Sequence, residues 1–260
     1  MPRTLSSLVL LAALAAPLGA ADPPRAAAPQ MPQLAAPALP QMAPELALDT
    51  FQQRAEQQHH DLAGYSAVTE VEADLPETAQ HGDYELEREY TAPNELHFKP
   101  VRFTGDGFVK TNVITRILQS EVDHVGKADF AATAITPANY KFSYKGTDKL
   151  DGHAVHVFQL KPRHKIVGLF KGKIYLDAQT GTLRRAEGTA VKSPSFFIKK
   201  LEFVQDYCDV GNFTLPLRTH STAVTRVVGR AIVNIFHRNY QARTASGAVM
   251  TARTDQPAGN

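Results

Sequence analysis

Tyr65-Ser66-Ala67-Val68-Thr69-Glu70-Val71-Glu72-Ala73-Asp74-Leu75 sets Tyr65, Ala67, Val71, Ala73 and Leu75 against Ser66, Glu70, Glu72 and Asp74. A period of two marks a strand with one apolar and one wet face, because successive side chains of an extended chain point to opposite sides. The alternation returns with Tyr84, Leu86 and Tyr90 against Glu85, Glu87 and Glu89. After Leu96, Phe98, Val101 and Phe103, the Asp106-Gly107 pair reads as a turn into a strand from Phe108 to Val113. Upstream, Leu46 to Leu62 carries Leu48, Phe51, Ala55 and Leu62 among Gln, Glu, Arg and His, a stripe for one amphipathic helix that Gly64 ends.

Downstream the rhythm changes. Ile114, Ile117, Leu118, Val122 and Val125 follow a helical period and Ala128 to Ala134 offers a further short helix, so Ile114 to Thr136 reads as a helical insertion. Strand patterns resume in Tyr140, Phe142 and Tyr144, in Val155 to Leu160 and in Ile174 to Asp177. Gln179-Thr180-Gly181 turns the chain into Leu183 to Val191, and Phe196 to Tyr207, Leu215 to Val228 and Ala231 to Tyr240 follow. The fold class is therefore mainly β (α+β): a large curled antiparallel sheet, or open half-barrel, of about ten or eleven strands with a short helical lid. Twist accumulating across so many strands curls the sheet and gives it a concave face.

The order of these features resembles the periplasmic lipoprotein-carrier superfamily of the LolA, LolB and MucB/RseB type. The residues that carry the resemblance are Tyr140-Lys141-Phe142-Ser143-Tyr144-Lys145-Gly146, Asp151-Gly152-His153, Val157-Phe158-Gln159-Leu160-Lys161-Pro162, Gly172-Lys173-Ile174-Tyr175-Leu176-Asp177 and Thr180-Gly181. The likeness spans 46–243 and implies an apolar cavity that shelters acyl chains, without catalytic residues or cofactors. Periodicity supplies the candidate lining: Tyr84, Leu86, Tyr90, Phe98, Phe103, Tyr140, Phe142, Tyr144, Phe158, Leu160, Ile174 and Phe203. Each of these also reads as an ordinary core residue, since aromatic side chains on strands usually pack. The chain departs from the carriers in having no Trp and in its long proline-rich approach.

That approach lies N-terminal to the folded part. Residues 1–21 carry Arg3, an apolar run from Leu8 to Ala16, Pro17, and the small residues Gly19, Ala20 and Ala21, the pattern of a cleavable signal peptide. The run is shorter than the ~20 residues of a spanning helix, and no Cys stands near the cleavage site to take a lipid anchor. The expected location is the periplasm. Residues 22–45 hold seven Ala and seven Pro without an aromatic residue and read as a semi-rigid linker, and 244–260 reads as a flexible tail.

Charge is segregated. Ser66 to Glu95 holds nine acids and one Arg, whereas Lys161 to Lys200 holds ten Lys or Arg and two acids, within a chain of net charge +2. So small an overall excess gives no case for nucleic acid. Cations flank the apolar tip in Lys165-Ile166-Val167-Gly168-Leu169-Phe170-Lys171, which reads either as a membrane-contact loop inserting Leu169 or Phe170, with Lys165 and Lys171 at the headgroups, or as a core-facing loop. His59-His60 and His153-x-x-His156 do not suit one metal ion, because strand residues three apart face opposite ways. The nucleophile elbow Gly-x-Ser-x-Gly is absent from the sequence, and Gly168 to Lys173 falls short of a phosphate-binding loop. Cys208, beside Asp206 and Asp209, reads as an inert thiol. The partners expected are a lipid or acylated lipoprotein, with passing contact to a membrane surface or envelope protein. A lipid sensor of the same fold, signalling to a membrane partner, is the alternative to a carrier.

Overall fold

The alternation at Tyr65 to Leu75 forms strand β1 (Leu62–Leu75) of a computed structural model in which residues 40–127 and 130–253 are described. β2 (Gln80–Thr91) and β3 (Glu95–Gly105) follow as antiparallel hairpins. After a helical insertion, seven strands run in sequence: β4 (Tyr140–Leu150), β5 (His153–Pro162), β6 (Phe170–Asp177), β7 (Leu183–Ala190), β8 (Ile198–Val210), β9 (Phe213–Thr225) and β10 (Arg230–Thr244). The order across the sheet is β3-β2-β1-β10-β9-β8-β7-β6-β5-β4, every pair is antiparallel, and the short β11 (Val249–Ala252) adds to β10. Eleven strands thus form one sheet whose outer strands β3 and β4 do not pair, an open half-barrel. Among the described residues, only the β1·β10 seam joins strands far apart in the chain.

Helix α1 (Pro44–Asp61) covers the end of the sheet that carries the β6–β7 and β8–β9 turns. Met42 N–H donates to the Ala178 carbonyl at 2.7 Å, and the side chain of Gln58 both accepts from Thr214 N–H and donates to its carbonyl, at 2.7 and 3.2 Å. The ring of His156 donates from Nε2 to the Met42 carbonyl and accepts at Nδ1 from the Tyr144 hydroxyl, at 2.9 and 3.2 Å. The last residues of the expected linker are therefore fastened to the sheet, and His156 is committed to that task. The expected leader, residues 22–39 of the linker and residues 254–260 lie outside the described residues.

Three sequence expectations change here. Gly64 does not cap α1; it lies inside β1, where a Cβ would stand 2.5 Å from the Tyr90 carbonyl oxygen, so it permits a close strand crossing. The stretch Phe108 to Val113 is not a strand. It belongs to a continuous helical run made of α2 (Gly107–Val109), a π-helical turn (Lys110–Ile114) and α3 (Thr115–Gly126), followed by α4 (Phe130–Thr133). Its residues alternate locally, yet Val109, Ile114 and Leu118 are the ones buried. The wide π turn brings Val109 and Ile114, five apart, onto the face that Leu118 continues. The expected tail also holds structure, because Met250 of β11 packs beside Val210, Phe213 and Leu215.

Candidate ligand-binding face

Strand register places the candidate lining residues on one side of the sheet. Tyr84 pairs with Val71 and Phe103, Val71 with Ile235, Ile235 with Thr219 and Thr219 with Gln205. From there Gln205 pairs with Ala186, Ala186 with Ile174, Ile174 with Phe158 and Phe158 with Tyr144. Leu86, Tyr90, Phe98, Tyr140, Phe142, Leu160 and Phe203 fall in the same phase. Side chains across a ladder point the same way, so a single inner face is defined.

Much of that face is filled by the protein itself. Val109, Ile114 and Leu118 of the helical run are buried with Val71, Leu75, Tyr84, Leu86 and Val233, and Phe98 and Phe103 pack at the edge of the group. Phe51 of α1 joins Tyr140, Phe158, Leu160, Ile174 and Leu176, with Phe142 and Phe203 alongside. A third group, Leu62, Tyr65, Ala67, Phe213, Leu215 and Tyr240, closes the region where β1 meets β10, and Tyr90 packs against it. Of the candidates, Tyr84, Leu86, Tyr140, Phe158, Leu160 and Ile174 are buried, Tyr90, Phe98, Phe103, Phe142 and Phe203 are half-buried, and Tyr144 is exposed. Two depressions among the described residues, of about 460 and 300 Å3, are open clefts: one at the β1–β2 turn, the other beside Gly172 and Gly188 and lined largely by outer-face residues such as Gln159, Lys173 and Glu187. Neither is an enclosed apolar chamber.

Between the helix-covered regions runs a strip that no helix buries completely. It consists of Leu201, Phe203, Gln205 and Tyr207 on β8 and Thr219, Ser221 and Ala223 on β9, all half-buried, with Ile235 of β10 at its margin. Across the sheet Phe203 pairs with Gly188 and Gly188 with Gly172, and the Phe170 ring lies over Gly188, where a Cβ would stand 2.9 Å from its Cδ2. At Gly172 a Cβ would run into the Glu187 carbonyl oxygen, so no larger residue fits there. The Phe170 and Phe203 rings meet edge to face at 5.1 Å and form one bank of the strip.

The cover over β1 and β2 is latched by a buried charge. Arg88, in phase with Tyr84 and Leu86, donates from Nε to the Tyr65 hydroxyl at 2.9 Å and pairs through Nη2 with Glu121 of α3 at 2.7 Å. Its guanidinium also lies over the Tyr65 and Phe98 rings at 5.7 and 5.3 Å. Nη1 has no hydrogen-bond partner among the described residues. Burial disfavours the cation, but the Tyr65 hydroxyl and the Glu121 carboxylate outweigh it and hold Arg88 above its ordinary pKa. His237 of β10 is buried next to this group with Thr69 Oγ1 2.9 Å from its Nδ1; burial, then the Arg88 charge, pushes its pKa down to about 3. These partners, which sequence patterning did not single out, tie the lid to the sheet. A lone Arg among acids in β2 was the signal.

The expected membrane loop changes in its details. Leu169 is 0% and Phe170 7% exposed, because both turn inward with Tyr140 and Ile174, so neither is free to insert and Leu169→Glu would break the core. Lys165 and Lys171 remain exposed. Cys208 is half-buried, and burial followed by the neighbouring Asp209 charge pushes its thiol up to about 11, so it stays protonated at neutral pH. The acidic outer face of β1 and β2 is partly balanced by Arg238 of β10, which bridges Glu70 and Glu85 at 3.0 and 3.2 Å. No helix among the described residues is long and apolar enough to cross a membrane.

An open sheet whose apolar inner face is roofed by separate helical pieces is the architecture of the described residues. Solved structures similar to it include a DUF1329 family protein from Desulfovibrio piger, at 9% identity over 78% of this chain and 94% of that one, TM-score 0.42. A LolA superfamily protein from Nitrosomonas europaea is similar at 9% identity over 83% and 96% of the two chains, TM-score 0.37. MucB from Pseudomonas aeruginosa, solved in complex with MucA, is similar at 9% identity over 74% and 93%, TM-score 0.26. No family model and no curated protein matches the sequence.

Proposed function

We propose that this protein is an exported envelope protein that binds the hydrocarbon chain of a lipid or acylated lipoprotein along its inner face and gives it up again as a carrier. The half-buried strip from Leu201 to Tyr207 on β8 and Thr219 to Ala223 on β9 is the observation that carries this reading. It is apolar along the bank formed by Phe170 and Phe203 and lies between two helical covers. A chain laid there would continue beneath α2 and α3 as they lift.

Magnitudes favour such an exchange. Lifting the lid exposes Val109, Ile114 and Leu118, at about 1.5 to 3 kcal/mol per side chain, or roughly 5 to 9 kcal/mol in all. An acyl chain of about fourteen carbons returns ~0.8 kcal/mol per buried methylene, roughly 11 kcal/mol if fully sheltered. The two are close enough for a lid that closes over itself when empty and yields to a guest. Titrating the protein with an environment-sensitive fluorescent fatty acid is expected to show saturable binding that Phe203→Asp weakens by about tenfold or more, since a desolvated carboxylate opposes the chain. Absence of saturable binding by the wild type, or an unaltered affinity in the variant, would remove the proposal.

A further inference from the structure

At the end of the sheet opposite α1, the loop 191–197 before β8 and the turn 226–229 between β9 and β10 are fastened together. Arg226 donates from its backbone N–H to the Phe197 carbonyl and from Nε to the Phe196 carbonyl, both at 2.8 Å, and its guanidinium covers the Phe196 ring at 4.7 Å. Ser193 Oγ lies 2.7 Å from the carbonyls of both Ser195 and Ile198 and donates to one of them at a time. These bonds hold an ordered tip from which Phe196, Phe197 and Val227 project, at 77%, 50% and 72% exposure. Three large apolar side chains raised together on bonded loops are not the scattered singles of an ordinary surface.

The charges around the tip are mostly positive. Lys192, Lys199, Lys200, Arg226 and Arg230 are exposed, and among the described residues only Lys200 of these is in a side-chain ion pair, with Glu202. The nearest acid on the other side, Glu77, accepts from the backbone N–H of Arg230. Lys165 and exposed Val167 stand on the neighbouring β5–β6 loop, which touches this one where Val191 N–H donates to the Leu169 carbonyl. Apolar points inside a cationic surround suit an interface that is negative at its surface and apolar just beneath.

We infer that this tip docks the protein on an anionic lipid bilayer, with Phe196, Phe197 and Val227 entering the headgroup region and the lysines held against the lipid phosphates. The inner strip opens toward the same end, since Leu201 and Ala223 lie a few residues from Ile198 and Thr225 at the base of the tip. Docking would therefore set the mouth of the strip at the membrane, although the tip's own chemistry does not depend on what the strip holds.

The test is flotation of the full-length protein with vesicles of phosphatidylcholine containing about a third phosphatidylglycerol, against vesicles of phosphatidylcholine alone. The wild type is expected to float with the anionic vesicles and to be released by salt. Replacing both rings (Phe196→Ser with Phe197→Ser) is expected to lower partitioning by about tenfold or more, and Lys192→Gln with Lys199→Gln by about fivefold per lysine at low salt. All four side chains are exposed, so thermal melts of both variants should overlay the wild type, and fatty-acid binding in solution should be unchanged. Wild-type protein that stays with neither vesicle, or a Phe variant that floats like the wild type, would overturn the inference. So would a concentration-dependent dimer in sedimentation that the Phe variant abolishes, which would assign the tip to a second copy of the chain.

Discussion

Glu121→Ala is expected to destabilise the protein by about 2 to 3 kcal/mol, whereas Arg88→Met costs about 1 kcal/mol or less, although both break the same ion pair. The asymmetry follows from burial. Arg88 lies within the sheet and Glu121 is partly exposed on α3. Removing Glu121 leaves a buried guanidinium with Nη1 already lacking a partner and Nη2 newly deprived of one. Removing Arg88 frees a carboxylate that can turn to water, and Met fills much of the vacated volume while retaining contact with the Tyr65 and Phe98 rings. The double variant should be more stable than Glu121→Ala alone. Denaturant unfolding of the three variants checks the order, and hydrogen exchange should show α3 amides losing protection before those of β1 and β10. Equal costs for the single variants would mean that the pair is effectively solvated and does not hold the lid.

Acid provides the second large effect. His237 titrates near 3 when folded and near 6.5 when unfolded, so between those values the unfolded chain takes up more protons. Stability is therefore full above about pH 6.5 and falls as the pH drops toward 3, by up to about 4 to 5 kcal/mol from this residue. Its surroundings sustain the shift: Arg88 is the nearby cation, Thr69 bonds the ring and the Tyr240 ring lies 6.1 Å away. His237→Gln keeps a hydrogen-bonding group beside Thr69 and removes the titration. Unfolding free energies measured from pH 7 to pH 4 should show the wild type losing about 3 kcal/mol relative to His237→Gln as the pH falls. Carboxylates contribute alike to both proteins and cancel in the difference. Parallel curves would show that the ring takes up its proton without resistance inside the fold.

The strands were legible wherever one face of the chain is wet, as in Tyr65 to Leu75, because alternation then reports the two sides of the sheet. The same logic brought the candidate lining onto one face, since parity within each strand fixes the side. How deeply each residue is covered was not legible: Tyr84 and Phe103 share a phase, and the helical run from Gly107 to Gly126 decides which of them is sealed. Phe108 to Val113 misled because local alternation also fits one turn of a helix, and the π turn that fixes its burial shows no pattern in sequence. Leu169 and Phe170 were read as a tip from their flanking lysines, whereas Phe196 and Phe197, taken as the start of a strand, form the exposed point. Arg88 stood out only as a lone cation among acids, and its role was not legible because its acid partner comes from 33 residues further along the chain, on a helix.

The β1·β10 seam leaves a mark on assembly. Each of the other main ladders in the sheet joins sequence neighbours, so those hairpins can zip up with little loop entropy, while this one must wait until the far end of the chain arrives. Had the polypeptide begun at Tyr140 and been spliced from β10 back to α1, the sheet from β4 to β3 would be an unbroken meander. The Ala245 N–H already donates to the Asp61 carbonyl at 2.8 Å, so the end of β10 lies beside the start of β1 and the new connection has only to run back along α1. A circular permutant cut in the 127–139 stretch should therefore acquire its native sheet sooner than the natural order does, at the cost of freeing one end of the roof.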